Sequence, residues 1–272
     1  MERTEIAEIE ALRSMFAAVP DDISAELGVG TLELGGGFAV RIVFLGGANE
    51  VNHALGISTP AQLDALPGFY GRTRHIVSPA PAVDLDGELR ARGYETGYAW
   101  MKFSRAAGDA PDARTDLDVV EVGPDDDLRF GRTVCEGFGM PTLMGQWLAR
   151  LPGRPGWHCF VAYDGREPAA GGALFVTGDI GWFGLGATRP EFRRRGAQGA
   201  ILAARIERAA ELGCSLVVTE TGELVDDRPS NSYRNILRAG FEPQYVRPNY
   251  VPKATEPARA SQVKTTGSSR PS

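Results

Sequence analysis

Residues 187–201 read Ala-Thr-Arg-Pro-Glu-Phe-Arg-Arg-Arg-Gly-Ala-Gln-Gly-Ala-Ile and join a predicted strand, 181–188, to a predicted helix, 198–212. An arginine-rich turn with small residues can direct several main-chain N–H groups at one point in front of the helix. Because the positive end of the helix adds to those donors, such a turn is suited to hold a phosphate group. The stretch predicts a phosphate cradle, with an ordinary solvated turn as the alternative.

The residue types of this turn fit phosphate chemistry. Gly196 and Gly199 lack a Cβ, so an anion can come close to the main chain. Arg193, Arg194 and Arg195 supply positive charge on planar groups that match phosphate oxygens.

Composition indicates a globular protein without a general affinity for nucleic acid. The 272 residues exceed one typical domain, so two domains are expected. Hydrophobic residues make up 43% and charged residues 24%, and the net charge is −6. The basic cluster of the turn is therefore local, and we expect no nucleic-acid partner.

The chain shows neither a membrane-spanning run nor a signal peptide. No apolar run approaches the roughly 20 residues that cross a bilayer, and the N-terminus lacks an apolar core. We therefore expect a cytoplasmic protein without a membrane partner.

The cysteines and histidines favour structural roles. The three cysteines, Cys135, Cys159 and Cys214, have no CxxC spacing and are expected to be buried free thiols. The three histidines have no metal-ligand spacing, so no metal is expected; they are His53, His75 and His158. No serine occupies a G-x-S-x-G elbow, which argues against hydrolase chemistry.

The first half of the chain mixes helix and strand signals. The patterns predict a helix over 3–18, extended segments over 37–44 and 94–105, and a loop-rich stretch over 46–90. Residues 105–115 contain almost nothing that could be buried and are typical of a linker. We therefore predict a domain boundary near residue 110.

The second half gives clearer signals. Predicted strands cover 117–122, 158–164, 168–177, 181–188, 214–221 and 245–251, and predicted helices cover 125–135, 144–151, 198–212 and 231–238. The two strands that flank Asp164-Gly165 are expected to form a hairpin. Residues 253–272 are polar and small, which predicts a disordered tail.

The second half resembles the acyl-CoA-binding core of the GNAT N-acetyltransferase superfamily. The resemblance covers about 117–252 and rests on the strand, the turn, the helix and the later run Asn-Ser-Tyr-Arg-Asn-Ile-Leu-Arg-Ala-Gly-Phe. In that family the R-x-x-G-x-G/A loop binds the CoA pyrophosphate through main-chain N–H groups. Arg193, Gly196 and Gln198 stand at its key places, and Gln198 departs from the usual small residue.

The resemblance implies the fold, the cosubstrate and a set of contact residues. The fold is α/β, with a mixed sheet, and the cosubstrate is acetyl-CoA. The preceding strand would pair with the pantetheine arm and offer one N–H to the thioester oxygen. The residues assigned to acetyl-CoA are Leu185, Gly186, Ala187, Thr188, Arg193, Arg194, Arg195, Gly196, Ala197, Gln198, Gly199, Ala200, Ser232, Tyr233 and Asn235.

The resemblance also suggests a tandem arrangement. The runs 66–71 and 89–100 are similar to the end of a GNAT unit, with helix, glycine, aromatic residue and strand in order. Because this half has no R-x-x-G-x-G/A loop, we predict a degenerate N-terminal copy over 1–110 and a catalytic domain over 117–252.

The catalytic residues are less well defined. In the family a tyrosine on the last helix often protonates the CoA thiolate; here Ile236 stands near that place, and Tyr233 is the nearest candidate acid, with core packing as its alternative. The incoming amine must lose a proton before it attacks. Glu220, at the end of an apolar strand, is the candidate base, and its alternative is a carboxylate that caps a nearby loop or pairs with an arginine. Glu136 is a second candidate, with a solvated loop as its alternative.

These signals lead to one preferred function and two alternatives. The preferred function is transfer of acetyl from acetyl-CoA to the amine of a small molecule, by direct attack in a ternary complex. The alternatives are a non-catalytic acyl-CoA-binding sensor or interaction module, and a protein N-acetyltransferase. A homodimer is left open.

Overall fold

A computed structural model describes residues 2–44, 51–225 and 230–253, apart from the side chains of residues 126 and 127. These residues form eight α-helices and thirteen β-strands in two mixed sheets. The helices are α1 (Arg3–Phe16), α2 (Asp21–Leu27), α3 (Pro60–Tyr70), α4 (Asp86–Ala91), α5 (Asp127–Phe138), α6 (Thr142–Leu148), α7 (Ala197–Glu211) and α8 (Asn231–Arg238). The strands are β1 (Val29–Leu34), β2 (Gly37–Ile42), β3 (His53–Ile57), β4 (Ile76–Pro79), β5 (Tyr94–Thr96), β6 (Trp100–Ala106), β7 (Asp118–Val122), β8 (Trp157–Asp164), β9 (Glu167–Thr177), β10 (Ile180–Thr188), β11 (Leu216–Gly222), β12 (Glu242–Arg247) and β13 (Tyr250–Pro252). None of the described helices is long and apolar enough to cross a membrane.

The two halves of the chain repeat one order of elements. Each half runs through two helices, two antiparallel strands, a parallel strand–helix–strand unit, a helix and two final strands, and β7 precedes the second series. The prediction of a mixed α/β fold is confirmed. The repeat supports the prediction of two tandem units.

The two sheets exchange one strand each. The first sheet has the order β1-β2-β3-β4-β13-β5, and the second has the order β12-β6-β11-β10-β9-β8-β7. Strand β6, from the first half, therefore lies between two strands of the second half, while β13 lies between β4 and β5. The division near residue 110 stays a prediction, and the sheets themselves cross it.

Hydrogen bonds hold the point where the exchanged segments cross. The main-chain N–H of Gly97 donates to the carbonyl oxygen of Asn249 over 2.7 Å, and Asn249 Nδ2 donates to the carbonyl oxygen of Tyr98 over 2.8 Å. Ser78 Oγ, on β4, donates to Asn249 Oδ1 over 2.5 Å. The crossing is therefore braced by buried side chains as well as by the main chain.

Helix α1 joins the two sheets in one hydrophobic core. Phe16 lies edge-to-face against Trp147 of α6 at 4.8 Å between ring centroids, and Trp147 Nε1 donates to the carbonyl oxygen of Met15 over 2.9 Å. Trp157 Nε1, on β8, donates to Ser14 Oγ over 2.9 Å. One buried cluster thus contains α1, β2 and the face of the second sheet that carries Trp182.

Most of the predicted elements of the second half are confirmed, including helix α8 and the hairpin at Gly165, where φ is +61°. Two expectations were wrong. The stretch 46–90 is not loop-rich within 51–90, because it holds β3, α3, β4 and α4. The predicted strands 94–105 and 245–251 are each two strands that belong to different sheets. The predicted disordered tail lies outside the described residues, apart from Lys253.

Gly196 is the N-terminal cap of α7, and both its main-chain conformation and its close surroundings favour glycine. Its φ is +81°, and a Cβ on this residue would lie 2.1 Å from the carbonyl oxygen of Arg114. A Cβ on Gly199, in contrast, would meet no atom within 4 Å. Gly196 therefore allows close contact with the segment before β7, a role that the sequence did not indicate, and the approach of an anion at this residue stays a prediction.

We expect opposite effects on stability from alanine at the two glycines. Gly196→Ala should lower the free energy of unfolding by about 2 kcal/mol or more, because a left-handed φ and a close main-chain contact both oppose a Cβ. Gly199→Ala should raise it by about 0.5 kcal/mol, because alanine favours a helix. Urea unfolding of both variants checks this, and equal effects would contradict the role assigned to Gly196.

Candidate active site

The parallel strands β10 and β11 separate partway along their length. They pair from Ile180 with Leu216 to Phe183 with Thr219, and then β10 continues to Thr188 and β11 to Gly222 outside this ladder. At the last pair, Thr219 Oγ1 donates to the carbonyl oxygen of Phe183 over 2.9 Å. The separation leaves a cleft at the carboxyl ends of two adjacent parallel strands, where ligands commonly bind in open α/β sheets.

A bulge turns the main chain of β10 at this cleft. Its register with β9 shifts between Gly184 and Ala187, and Leu185 has a φ of +56°. Buried Arg205 of α7 donates to the carbonyl oxygen of Gly184 over 3.2 Å, and burial lowers the pKa of this arginine to about 9. A bulge re-aims main-chain groups. Of the predicted contact residues, Leu185 and Gly186 lie in the bulge, and Ala187 and Thr188 follow it.

The start of α7 offers unsatisfied main-chain donors. The N–H groups of Ala197, Gln198 and Gly199 have no acceptor among residues 2–44, 51–225 and 230–253, while Ala200 N–H donates to the carbonyl oxygen of Gly196 over 3.1 Å. The cap residue, Gly196, has no side chain that could accept hydrogen bonds from these N–H groups. Donors and the positive end of the helix thus coincide, as anion binding requires.

The three arginines of the turn differ in their contacts. Arg195 donates to Asp164 Oδ2 over 2.7 Å and pairs with Asp116 at 2.5 Å, so its guanidinium is already held by two carboxylates. Arg193 makes long contacts of 3.4 Å to carbonyl oxygens of Thr188 and Gly137. Arg194, with a φ of +68°, is exposed and forms no ion pair with the described residues. Arg193 and Arg194 are therefore the side chains available to an anion.

Gln198 links the start of α7 to α8. Asn235 Nδ2 donates to Gln198 Oε1 over 2.6 Å, and Gln198 Nε2 lies 3.4 Å from Ser232 Oγ. Tyr233 places its ring edge-to-face against Phe103 at 4.9 Å, which agrees with the packing alternative. Its hydroxyl makes no hydrogen bond within the part of the chain that the structure describes.

Glu220 follows Thr219, the last residue of β11 that pairs with β10, and its side chain is 8% exposed. Lys102 Nζ donates to Glu220 Oε2 over 2.8 Å, and Trp182 Nε1 donates to its two oxygens over 3.1 and 3.2 Å. Its partners are thus a lysine and an indole, and the alternative of an arginine pair does not hold. Burial raises the pKa of Glu220 to about 7; Glu8 adds to the rise and Lys102 opposes it.

Glu136 has a different environment. Its carboxylate pairs with Arg132 at 2.8 Å and with Arg189 at 2.8 Å, and the side chain is 40% exposed. These pairs occupy the carboxylate at the surface, so Glu136 is a weaker candidate base than Glu220.

Apolar side chains flank the cleft on the face that carries Glu220. Gly222 is two residues after Glu220 on β11, so the two positions lie on the same face of the sheet. A Cβ on Gly222 would touch the ring of Tyr98. On the other side, a Cβ on Gly137 would lie 2.7 Å from the Cβ of Ala187, so the end of α5 reaches β10. The neighbouring Phe138 is 51% exposed.

The cysteines and histidines lie in structural positions. All three cysteines are buried and free, as predicted, and burial raises the pKa of Cys135 to about 12. His53 contacts Ser78 Oγ at 2.6 Å, His75 contacts the Tyr94 hydroxyl at 2.7 Å, and His158 contacts Glu121 at 2.7 Å. Within the described residues, no group of His, Cys, Asp and Glu could hold a metal ion.

The corresponding strand–helix–strand unit of the first half is closed. Strands β3 and β4 stay paired to Ile57 and Pro79. Helix α3 has a capping box, in which Thr59 accepts the N–H of Gln62 and the Gln62 side chain accepts main-chain N–H groups in return. Pro60 removes a further donor. Helix α3 therefore does not offer a cradle like that at the start of α7.

Several side chains around the site are not evident from the sequence. They are Lys102, Trp182 and Tyr98, although a lone lysine in the apolar run 100–103 is a signal of a buried charge. The Thr59-to-Gln62 capping box also has a recognisable sequence signature.

Two cavities lie away from the cleft. One, of about 750 Å³, is lined by the loop after β4 and by β12, and the other, of about 550 Å³, lies where β7 ends and β8 begins. Neither is lined by the cradle or by Glu220. The candidate site is therefore separate from both cavities.

Comparison with known proteins agrees with this geometry. Residues 136–222 match the family model described as "Acetyltransferase (GNAT) domain". No curated protein matches the chain significantly. A GCN5-related N-acetyltransferase from Kribbella flavida is 15% identical with a TM-score of 0.61, over 94% of this chain and 97% of that one. An acetyltransferase from the GNAT family from Colwellia psychrerythraea is 14% identical with a TM-score of 0.54, over 92% and 97%.

Identities this low establish similarity of fold, and the family match adds the domain. Strands β10 and β11, with the turn between them, lie within the matched residues. The chain therefore has the GNAT fold, and residues 136–222 are similar to the GNAT acetyltransferase domain.

Proposed function

We propose that this protein is an N-acetyltransferase that moves acetyl from acetyl-CoA to the amine of a small molecule, by direct attack in a ternary complex. The observation that carries the proposal is the cleft between β10 and β11, which has the free N–H groups of α7 at one side and Glu220 below it. An anion site and a candidate base thus share one opening.

The residues at the cleft fit the cosubstrate. The N–H groups of Ala197, Gln198 and Gly199 would hold the pyrophosphate, with Arg193 and Arg194 adding charge. The bulged segment 185–188 would lie along the pantetheine arm, and one N–H there would polarise the thioester carbonyl. Ser232, Tyr233 and Asn235 would border the same site through Gln198.

The proposed chemistry assigns proton transfer to Glu220. An ammonium has no lone pair, so a base must take a proton before the amine attacks the carbonyl carbon and the C–S bond breaks. A base with a pKa of about 7 accepts that proton at neutral pH. The thiol that leaves has an ordinary pKa of roughly 8.5, and the hydroxyl of Tyr233, which has no hydrogen-bond partner among the described residues, is the candidate donor to the thiolate.

Direct attack is supported by the state of the cysteines. All three are buried, and burial raises the pKa of each thiol. The thiolate is the nucleophilic form of cysteine, so an acyl-enzyme is disfavoured. Mass spectrometry during turnover should find no acetyl group on Cys135, Cys159 or Cys214.

The acceptor class is proposed from apolar residues near the ends of β10 and β11. The ring of Tyr98 lies against Gly222 of β11, and the exposed Phe138 follows Gly137, which approaches Ala187 of β10. We therefore expect an amine on an apolar or aromatic body to react better than a polyamine.

The function is tested by amine-dependent release of the CoA thiol from acetyl-CoA. Release with small amines supports the enzyme, and release with peptides alone points to a protein N-acetyltransferase. Binding of acetyl-CoA without release would indicate the sensor, and no binding would remove the proposal.

We expect acetyl-CoA to bind at one site per chain and to depend on charge at residue 199. Gly199→Glu should weaken binding about tenfold or more, because a carboxylate at the start of α7 repels phosphate and satisfies the helix end itself. Gly199→Gln has the same size without the charge and should weaken binding less. Calorimetric titration measures both; equal affinities would contradict the cradle, and two sites per chain would contradict the inactive first half.

The candidate base predicts a pH profile. Because a base acts when deprotonated and the pKa of Glu220 is raised to about 7, turnover should rise with pH through about 7 and then level off. Glu220→Gln should lower kcat about 100-fold or more, remove this rise and leave acetyl-CoA binding unchanged. Glu136→Gln is the matched control and should retain activity. Full activity of Glu220→Gln would refute the assignment.

A further inference from the structure

Five buried charged side chains meet beneath the cleft. Glu5 and Glu8 come from α1, Lys102 from β6, Glu220 from β11 and Arg247 from β12. The side chains of the first three and of Arg247 are at most 3% exposed. Glu220 is the one member within the matched domain, residues 136–222. The surroundings of the candidate base are thus built largely by the rest of the chain.

The partners are divided unequally among the three carboxylates. The Glu8 carboxylate accepts hydrogen bonds from Lys102 Nζ over 2.6 Å and from the Arg247 guanidinium over 2.5 and 3.1 Å. The Glu5 carboxylate accepts hydrogen bonds from Arg247 over 3.0 Å and from the hydroxyl of Tyr245 over 2.6 Å. Glu220 shares the Lys102 ammonium with Glu8 and otherwise has the neutral indole of Trp182.

The charges of the cluster do not balance when every member is ionised. Three carboxylates face two cations, and an uncompensated buried charge is costly, so one carboxylate tends to hold a proton. Despite burial, Arg247 and Lys102 keep the pKa of Glu8 well below its usual range. Burial also lowers the pKa of nearby His53 to about 3, with Arg247 adding to the effect, so this imidazole is neutral. Glu5 and Glu220 each have one cationic partner, but burial raises the pKa of Glu220 to about 7 and the neighbouring Glu8 adds to the rise, so Glu220 is the carboxylate that takes the proton.

Lys102 is placed to act on Glu220 by the strand exchange. Strand β6 pairs with β11 so that Lys102 lies opposite Glu220, and it pairs with β12 so that Lys102 lies opposite Tyr245. Side chains directly opposite on one face are near neighbours. Without β6 the ammonium would be absent from the face that carries the cleft.

We propose that Lys102 is the positioning residue that holds the Glu220 carboxylate at the cleft, and that Glu8, by sharing the same ammonium, keeps this carboxylate able to exchange a proton at neutral pH. The proposal rests on the proposed function, because it concerns the candidate base of that reaction. It gives the first half a role in catalysis that needs no acetyl-CoA site: the half supplies the charges that tune the base.

The test uses two variants that must move the titration of Glu220 in opposite directions. Lys102→Met removes the cation that favours the carboxylate, so Glu220 should titrate about one pH unit higher or more. Glu8→Gln removes a repelling charge and leaves Lys102 to Glu220 alone, so Glu220 should titrate at lower pH. Lys102→Arg should keep the titration near that of the unaltered protein. Glu10→Gln, on the exposed side of α1 where Glu10 pairs with Arg13 at 2.6 Å, should cause no shift.

The titration is read directly, by the infrared band of a protonated carboxylic acid that is lost in Glu220→Gln, recorded on the full chain against pH. The pH profile of kcat should move with the band. Unchanged titration in Glu8→Gln, or shifts of the same sign in both variants, would overturn the proposal; if Lys102→Met does not fold, Glu8→Gln decides alone. Shifts in the band without any turnover would instead refute the proposed function and leave the charge coupling standing.

Discussion

The position of β6 between β11 and β12 is the constraint on which the site depends. This strand comes from the first half, yet it completes the sheet whose neighbouring strands open into the cleft. Strand β13, in turn, completes the first sheet, and Asn249 stabilises the point where the two segments cross through hydrogen bonds with Tyr98 and Ser78. The two halves look separable in sequence, yet each needs a strand from the other half to complete its sheet. A strand taken from the middle of a sheet would leave two rows of unpaired N–H and C=O groups.

The strand, turn and helix that form the candidate site could be predicted from the sequence, because their signals are local. The turn 193–196 lies between a strand and a helix in one continuous stretch, and the positive end of α7 follows from helix geometry alone. The apolar run before Glu220 likewise marked a strand end. These predictions required no knowledge of which strands pair.

What could not be predicted depends on contacts between distant residues. Lys102 is 118 positions from Glu220, and its role appears when β6 enters the second sheet. Gly196 is required by the carbonyl oxygen of Arg114, a residue of the stretch that composition marked as a linker. The segments 94–105 and 245–251 read as single strands because apolar periodicity does not record that a chain leaves one sheet for another. Pairing, unlike propensity, is a property of the whole fold.

The contrast between the two halves favours a ligand at the second. Both have a strand–helix–strand unit with parallel strands, but α3 satisfies its own first N–H groups through Thr59 and Gln62, whereas α7 does not. A glycine cap in place of a capping side chain costs a few tenths of a kcal/mol, and the left-handed φ of Arg194 adds about 1–2 kcal/mol. Both features lie at one turn, beside separated strands and above a buried carboxylate. A bound anion that accepts the free N–H groups would offset much of this cost, so the unfavourable geometry of the free protein is itself an argument that the turn binds phosphate.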